Sequence, residues 1–159
     1  MIFIKKSKFI ILIIIFLIII VGAIFVPLLE YTVTFHDTHV SLPDKVTFTN
    51  ATNANIDNES DSIYTIFSGE DYEGTLFMFD NQTKFRQVLE GVDFSNMTVI
   101  YSDTSLKIYE NKYCPTCVIF AEIDGYPFMY SIKSTSYDKA LEKIYEFKKM
   151  NPRIKNLDV

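Results

Sequence analysis

The sequence predicts an N-terminal transmembrane helix followed by a small α+β domain, a mostly antiparallel sheet with two helices packed on one face. Three observations lead there. Residues Phe9–Leu29 form an unbroken apolar run. Beyond it, short segments with alternating apolar and polar residues recur between turn-forming residues, which is the pattern of half-buried strands. Two stretches, beginning at Gln82 and Thr135, instead carry apolar residues at helical spacing.

The apolar run has 21 residues, none charged, and 18 of them are Ile, Leu, Phe or Val. As a helix it spans about 31 Å, which matches a hydrocarbon core about 30 Å thick. Those 18 side chains favour insertion by on the order of 5 to 11 kcal/mol, and Gly22 and Pro27 reduce that sum without reversing it. Lys5, Lys6 and Lys8 precede the run, and basic flanks stay in the cytoplasm. The expected organisation is therefore a cytoplasmic N-terminus at 1–8, a signal anchor at 9–29 and an extracytoplasmic domain at 30–159, in a single-pass protein of the cell membrane. A cleaved signal peptide is the alternative, with Phe9–Ile20 as its apolar region and Val21-Gly22-Ala23 as the small-residue site. Cleavage there would leave Ile24-Phe25-Val26-Pro27-Leu28-Leu29 as an apolar mature N-terminus. A buried soluble helix would show a polar side, and this run has none.

Charge is distributed unevenly in this chain of 159 residues. Everything acidic, 20 side chains, follows the run, with 12 of the 15 basic ones. An acidic domain repels phosphate, which makes it a poor partner for nucleic acid and anionic headgroups, and no nucleic acid is expected. The expected partners are the bilayer, through the N-terminal helix, and a surface protein or small ligand. All 10 Tyr and 10 of the 14 Phe lie beyond the run, enough aromatic area for a core without Trp.

Along the domain, Tyr31–His36 and Val46–Thr49 alternate as strands, with Val40–Leu42 between them. Asn50–Ser62, NATNANIDNESDS, is polar and reads as an exposed loop. Ile63–Phe67 and Thr75–Phe79 read as a hairpin. Gln82–Glu90 places Phe85, Val88, Leu89 and, beyond it, Val92 on one helical face, with Gly91 suited to its end. Met97–Tyr101, Leu106–Tyr109, Val118–Ile123 and Tyr126–Ile132 are the later strands, and Asp124-Gly125 is a two-residue hairpin signal. Thr135-Ser136-Tyr137-Asp138 opens a capped helix with Tyr137, Ala140, Leu141, Ile144 and Tyr145 as its stripe, ended by Asn151-Pro152. Ile63–Leu89 and Val118–Ile144 share this order, the mark of a possible duplicated unit.

Cys114-Pro115-Thr116-Cys117 is the most specific motif. A redox dithiol needs a helix N-terminus after it to lower a thiol pKa, and Val118–Ala121 reads as strand. A type I turn with Pro at its second position would bring the Cα atoms of Cys114 and Cys117 within about 7 Å, which allows a local disulfide, and the oxidising exterior favours one. His36 and His39, with Cys114 and Cys117, make four zinc-type ligands, a weak candidate because nothing in the spacing brings the two pairs together. Asp57–Asp61 places carboxylates at alternate positions, as a calcium loop does, and Glu70, Asp71 and Glu73 form a second acidic stretch; solvated loops are the expected reading of both. The first lacks the glycine and the closing glutamate. Sequons mark Asn50, Asn58, Asn81 and Asn96 as glycosylation candidates.

No nucleophile elbow, phosphate-cradling glycine loop or catalytic histidine pattern occurs in the sequence. The expected role is a binding or structural module without cofactor or enzymatic activity. The alternative is an extracytoplasmic thiol-disulfide protein using Cys114 and Cys117.

Overall fold

The computed structural model describes residues 31–53 and 60–157, together with Ile14, Ile15 and Leu17. Those three are helical and about half exposed; the rest of the expected transmembrane segment lies outside the described residues. Among the described residues, no helix is long and apolar enough to cross a membrane.

A small α+β domain follows, mostly antiparallel. Strands β1 (Thr32–Phe35) and β2 (Thr38–Ser41) form a separate hairpin. The main sheet contains β3 (Val46–Asn53), β4 (Ser60–Ser68), β5 (Tyr72–Phe79), β6 (Met97–Ser102), β7 (Lys107–Asn111), β8 (Thr116–Ile123) and β9 (Tyr126–Ser134). Helix α1 (Gln82–Leu89) follows β5, a 3-10 turn at Phe94–Asn96 precedes β6, and α2 (Tyr137–Met150) follows β9. Across the sheet the order is β3-β4-β5-β9-β8-β7-β6, and the short β10 (Lys155–Asn156) pairs with the end of β8. Two meanders thus meet at the central β5–β9 pair.

The polar stretch Asn50–Ser62, expected to be a loop, contributes Asn50–Asn53 to β3 and Ser60–Ser62 to β4. Cross-strand pairing from Asn50↔Tyr64 to Asn53↔Ser60 carries them into the ladder despite weak strand propensity.

The helices lie on opposite faces, which corrects the expected single helical layer. Leu76, Met78, Ile119, Phe128, Tyr130 and Ile132 face α2, whose Ala140, Ile144 and Phe147 are buried among them. Their sequence neighbours Phe79, Val118 and Phe120 point the other way, against Phe85 of α1 and Phe94. Successive strand residues alternate faces. The runs Leu76–Phe79 and Cys117–Ala121, apolar at every position, therefore require cover on both sides. This also removes the duplicated unit: a two-fold axis through the antiparallel β5–β9 pair would keep both helices on one face. The hairpin β1–β2 joins α2 on its face, where Val33, Phe35, Val40 and Leu42 enter the core.

Both helices begin on side-chain caps. Asn81 accepts from the Lys84 N–H at α1, and Ser136 accepts from the Lys139 N–H at α2. The α2 cap is thus Ser136; Asp138 lies in the first turn.

Candidate functional site

A cleft of about 290 Å³ opens at one end of the sheet. Four parts of the chain wall it. The β2–β3 connection supplies Asp44, the β4–β5 turn supplies Glu70 and Asp71, and Tyr72 opens β5. Ser134 closes β9, while α2 presents Lys139, Glu142 and Lys143. The spacings of three and four residues put these α2 side chains on one flank of the helix.

Tyr72 is the pivot of the cleft. Its hydroxyl donates to Asp44 Oδ2 at 2.8 Å. Burial, then the hydrogen bond to the Asp44 carboxylate, pushes its phenol far above the ordinary range, so it remains a neutral donor. The backbone makes room for this pair at Gly69. A Cβ there would stand 2.4 Å from the Tyr72 ring and 2.6 Å from Asp44 Oδ2. Lys143 Nζ lies 5.1 Å from the Tyr72 ring centroid and donates to Glu146 at 2.7 Å. Lys139 is ion-paired with Asp71, and the Ser134 hydroxyl donates to the Asp71 carbonyl at 3.0 Å.

These contacts leave a charge imbalance. Both lining lysines have carboxylate partners, and Asp44 has Tyr72. Glu70 and Glu142 make no hydrogen bond or ion pair among the described residues. Within electrostatic reach of Tyr72 and Glu146 lies the Tyr130 hydroxyl, wholly buried and without a partner among the described residues. Its ring is stacked against Phe67 and Phe147.

The cysteines sit at the same end of the sheet. Both are free thiols. Cys117 lies in β8, fully buried, and burial with the nearby Glu110 charge pushes its thiol up to about 11. Cys114 Sγ is 3.3 Å from Thr116 Oγ1. The Thr116 N–H donates to the Cys114 carbonyl at 2.6 Å, an i to i+2 bond across Pro115. The Cys117 backbone pairs instead with Glu110 of β7, so the expected type I turn gives way to ladder pairing. Strand, not helix, follows the second cysteine.

The structure does not bring the zinc-type ligands together. His36 occupies the β1–β2 turn with φ 51° and stacks on Tyr126 at 5.2 Å, beside the β8–β9 turn. Cys117 lies six residues back along β8 from Ile123, the register partner of Tyr126, a separation of about 20 Å at strand rise. His39 meets Thr34 Oγ1 through Nδ1 at 2.9 Å. Among the described residues, no group of three ligating side chains converges.

The acidic stretches diverge in the same way. Asp61 is buried and ion-paired with Lys84 of α1 at 2.8 Å, while 54–59 lie outside the described residues. Glu70 and Asp71 belong to the cleft, and Glu73 lies opposite Lys133. Of the sequons, Asn50 is exposed on β3, and Asn58 falls outside the described residues. Asn81 and Asn96 each donate their side-chain N–H to a neighbouring aspartate, Asp80 and Asp93, so a glycan would replace that contact.

The sequence reading did not find the cleft. Asp44, Tyr72, Ser134, Lys139, Glu142 and Lys143 come from four separate elements, and no local pattern links them. The acidic group Glu70, Asp71 and Glu73 marked one wall without its partners, and the Lys139–Lys143 spacing is common on any solvated helix.

The fold and site define a two-faced antiparallel α+β domain with an acidic cleft at one sheet end. No family model, curated protein or solved structure matches the chain.

Proposed function

We propose that this chain is a single-pass membrane protein whose acidic extracytoplasmic domain acts as a binding module, with the cleft beside Tyr72 as its recognition site. The observation that carries the reading is the cleft itself: a preformed concavity with a fixed Tyr72–Asp44 pair and two uncommitted carboxylates. The anchor and its orientation rest on the apolar run and the three lysines before it. The module needs no cofactor and performs no catalysis. The rival reading, thiol-disulfide exchange through Cys114 and Cys117, fits poorly with a buried second thiol followed by strand.

Two experiments test the proposal. Protease added to intact spheroplasts should digest the domain, and full protection of the domain would reverse the topology. For binding, a panel of cationic, neutral and anionic small molecules is titrated into the full chain in detergent micelles while amide resonances of the cleft are followed. Saturable shifts at Glu70, Tyr72 and Glu142 with any member support a binding module. A silent cleft across the panel, together with a fast-reacting Cys114 near neutral pH, would hand the function to the thiol rival.

A further inference from the structure

We infer that the cleft takes an alkylammonium group, either a free aliphatic amine or the side chain of a lysine in a peptide. This rests on the binding-module reading above and specifies its ligand. The argument is a charge account of one cavity. Lys139 is neutralised by Asp71, and Lys143 is held by Glu146 and the Tyr72 ring. Asp44 is occupied by the Tyr72 hydroxyl. Glu70 on the turn and Glu142 on α2 are the two lining charges left without a partner among the described residues, and both are exposed to an entering group. The uncommitted charge is therefore negative, within a domain that is itself acidic. An anionic ligand would compete with the carboxylates that already hold both lysines, whereas a cation displaces no existing pair on entry.

The kind of cation follows from how the groups are arranged. Among the described residues no three ligating side chains converge, so the cleft offers a bare divalent ion no cage. Carboxylates carried by separate elements suit a group with several N–H donors and an aliphatic stem. The stem can lie along the half-buried Tyr72, as lysine stems lie along apolar surface. A volume of about 290 Å³ has room for a chain of a few carbons.

The test uses the full chain in detergent micelles and four probes: cadaverine, a short peptide with one central lysine, hexane-1,6-diol and glutarate. Cadaverine should shift the amides of Glu70, Tyr72, Lys139 and Glu142 saturably. The diol and glutarate should leave them in place up to tenfold higher concentration. Glu70→Gln with Glu142→Gln keeps shape and removes both charges, and should weaken cadaverine at least tenfold with no change in unfolding midpoint. If the peptide binds more tightly than cadaverine the source is a protein partner, and if less, a free amine; both support the inference. Saturable binding of glutarate or the diol at these amides would overturn the amine assignment and leave the binding module standing. Cadaverine binding that survives the double substitution would overturn the assigned carboxylates. Silence from all four probes would overturn the inference alone, because the wider panel tests the module separately.

Discussion

At the scale of single residues, Asn151 does the most with one side chain. It caps α2 and is buried, with 4% of its surface exposed. Its amide oxygen accepts from the Ser41 N–H at 2.9 Å, and its Nδ2 donates to the Ser41 and Phe147 carbonyls at 2.8 and 2.9 Å. The β1–β2 hairpin is thereby tied to the end of α2. Asn151→Ala removes both side-chain partners of the part-buried Ser41 backbone, while the Phe147 carbonyl keeps the Asn151 N–H, so denaturant unfolding of the full chain in detergent should show a loss of about 1–3 kcal/mol. Asn151→Asp should cost at least as much, because a carboxylate then faces two carbonyls. Tyr130 is the opposite case. Its hydroxyl is buried and unpaired among the described residues, so Tyr130→Phe should raise stability by about 1 kcal/mol, and a loss of that size would mean the hydroxyl has a partner. Asp103 shows how exposed groups behave. The Tyr101 hydroxyl, with the backbone N–H groups of Ser105 and Leu106, holds its carboxyl down at about 2. The folded value lies below that of the unfolded chain, so the contribution to stability is complete above about pH 5. It disappears as pH falls through about 2. A carboxyl carbon titration that places Asp103 near 4 would contradict the hydrogen bonding described.

At the scale of elements, β6 is the exposed edge of the sheet. Met97–Ser102 contains no charge, and Val99, Ile100 and Tyr101 are each more than a third exposed. Its protection is a register break, since Val99 pairs with Tyr109 and Tyr101 with Ile108, leaving Ile100 as a bulge. Such an edge invites pairing with other chains. Ile100→Lys should slow aggregation on heating, measured by light scattering, while the unfolding midpoint stays within the range of ordinary surface substitutions, about 0.5 kcal/mol. The strand at Met97–Tyr101 is legible in the sequence, and its position at the edge is not. Helix α1 is short, and its hold on the sheet combines the Asn81 cap, Phe85 and the Lys84 pair with buried Asp61. Asn81→Ala should cost about 1 kcal/mol.

At the scale of the whole molecule, the two cysteines are unequal. Cys114 lies partly exposed in the turn, and Cys117 is part of the core on the α2 face. Cys114→Ser should leave stability unchanged. Cys117→Ser buries a hydroxyl in the apolar core opposite Ile132 and should cost about 1–3 kcal/mol. Equal effects of the two substitutions would contradict this placement. The expectation of a marginal local bridge treated the pair as a unit, because spacing reports sequence distance and not which thiol points inward.

By itself, the sequence determined the elements of this protein. Alternation marked the strands, helical spacing marked both helices, and Asp124-Gly125 marked a turn where both residues indeed have positive φ, 53° and 89°. Those signals are local, because backbone period and turn chemistry are set within a few residues. Tertiary structure decided what local periodicity cannot encode. It set the meeting of β5 with β9, the placing of α1 and α2 on opposite faces, and the extension of β3 and β4 through polar residues. It also assembled the cleft, where Asp44 and Lys143 come within reach of one tyrosine although they lie 99 positions apart in the chain. The physical reason is that burial is a property of the assembled layers. A strand that is apolar at every position requires two covers, and only the chain path determines which helix provides each.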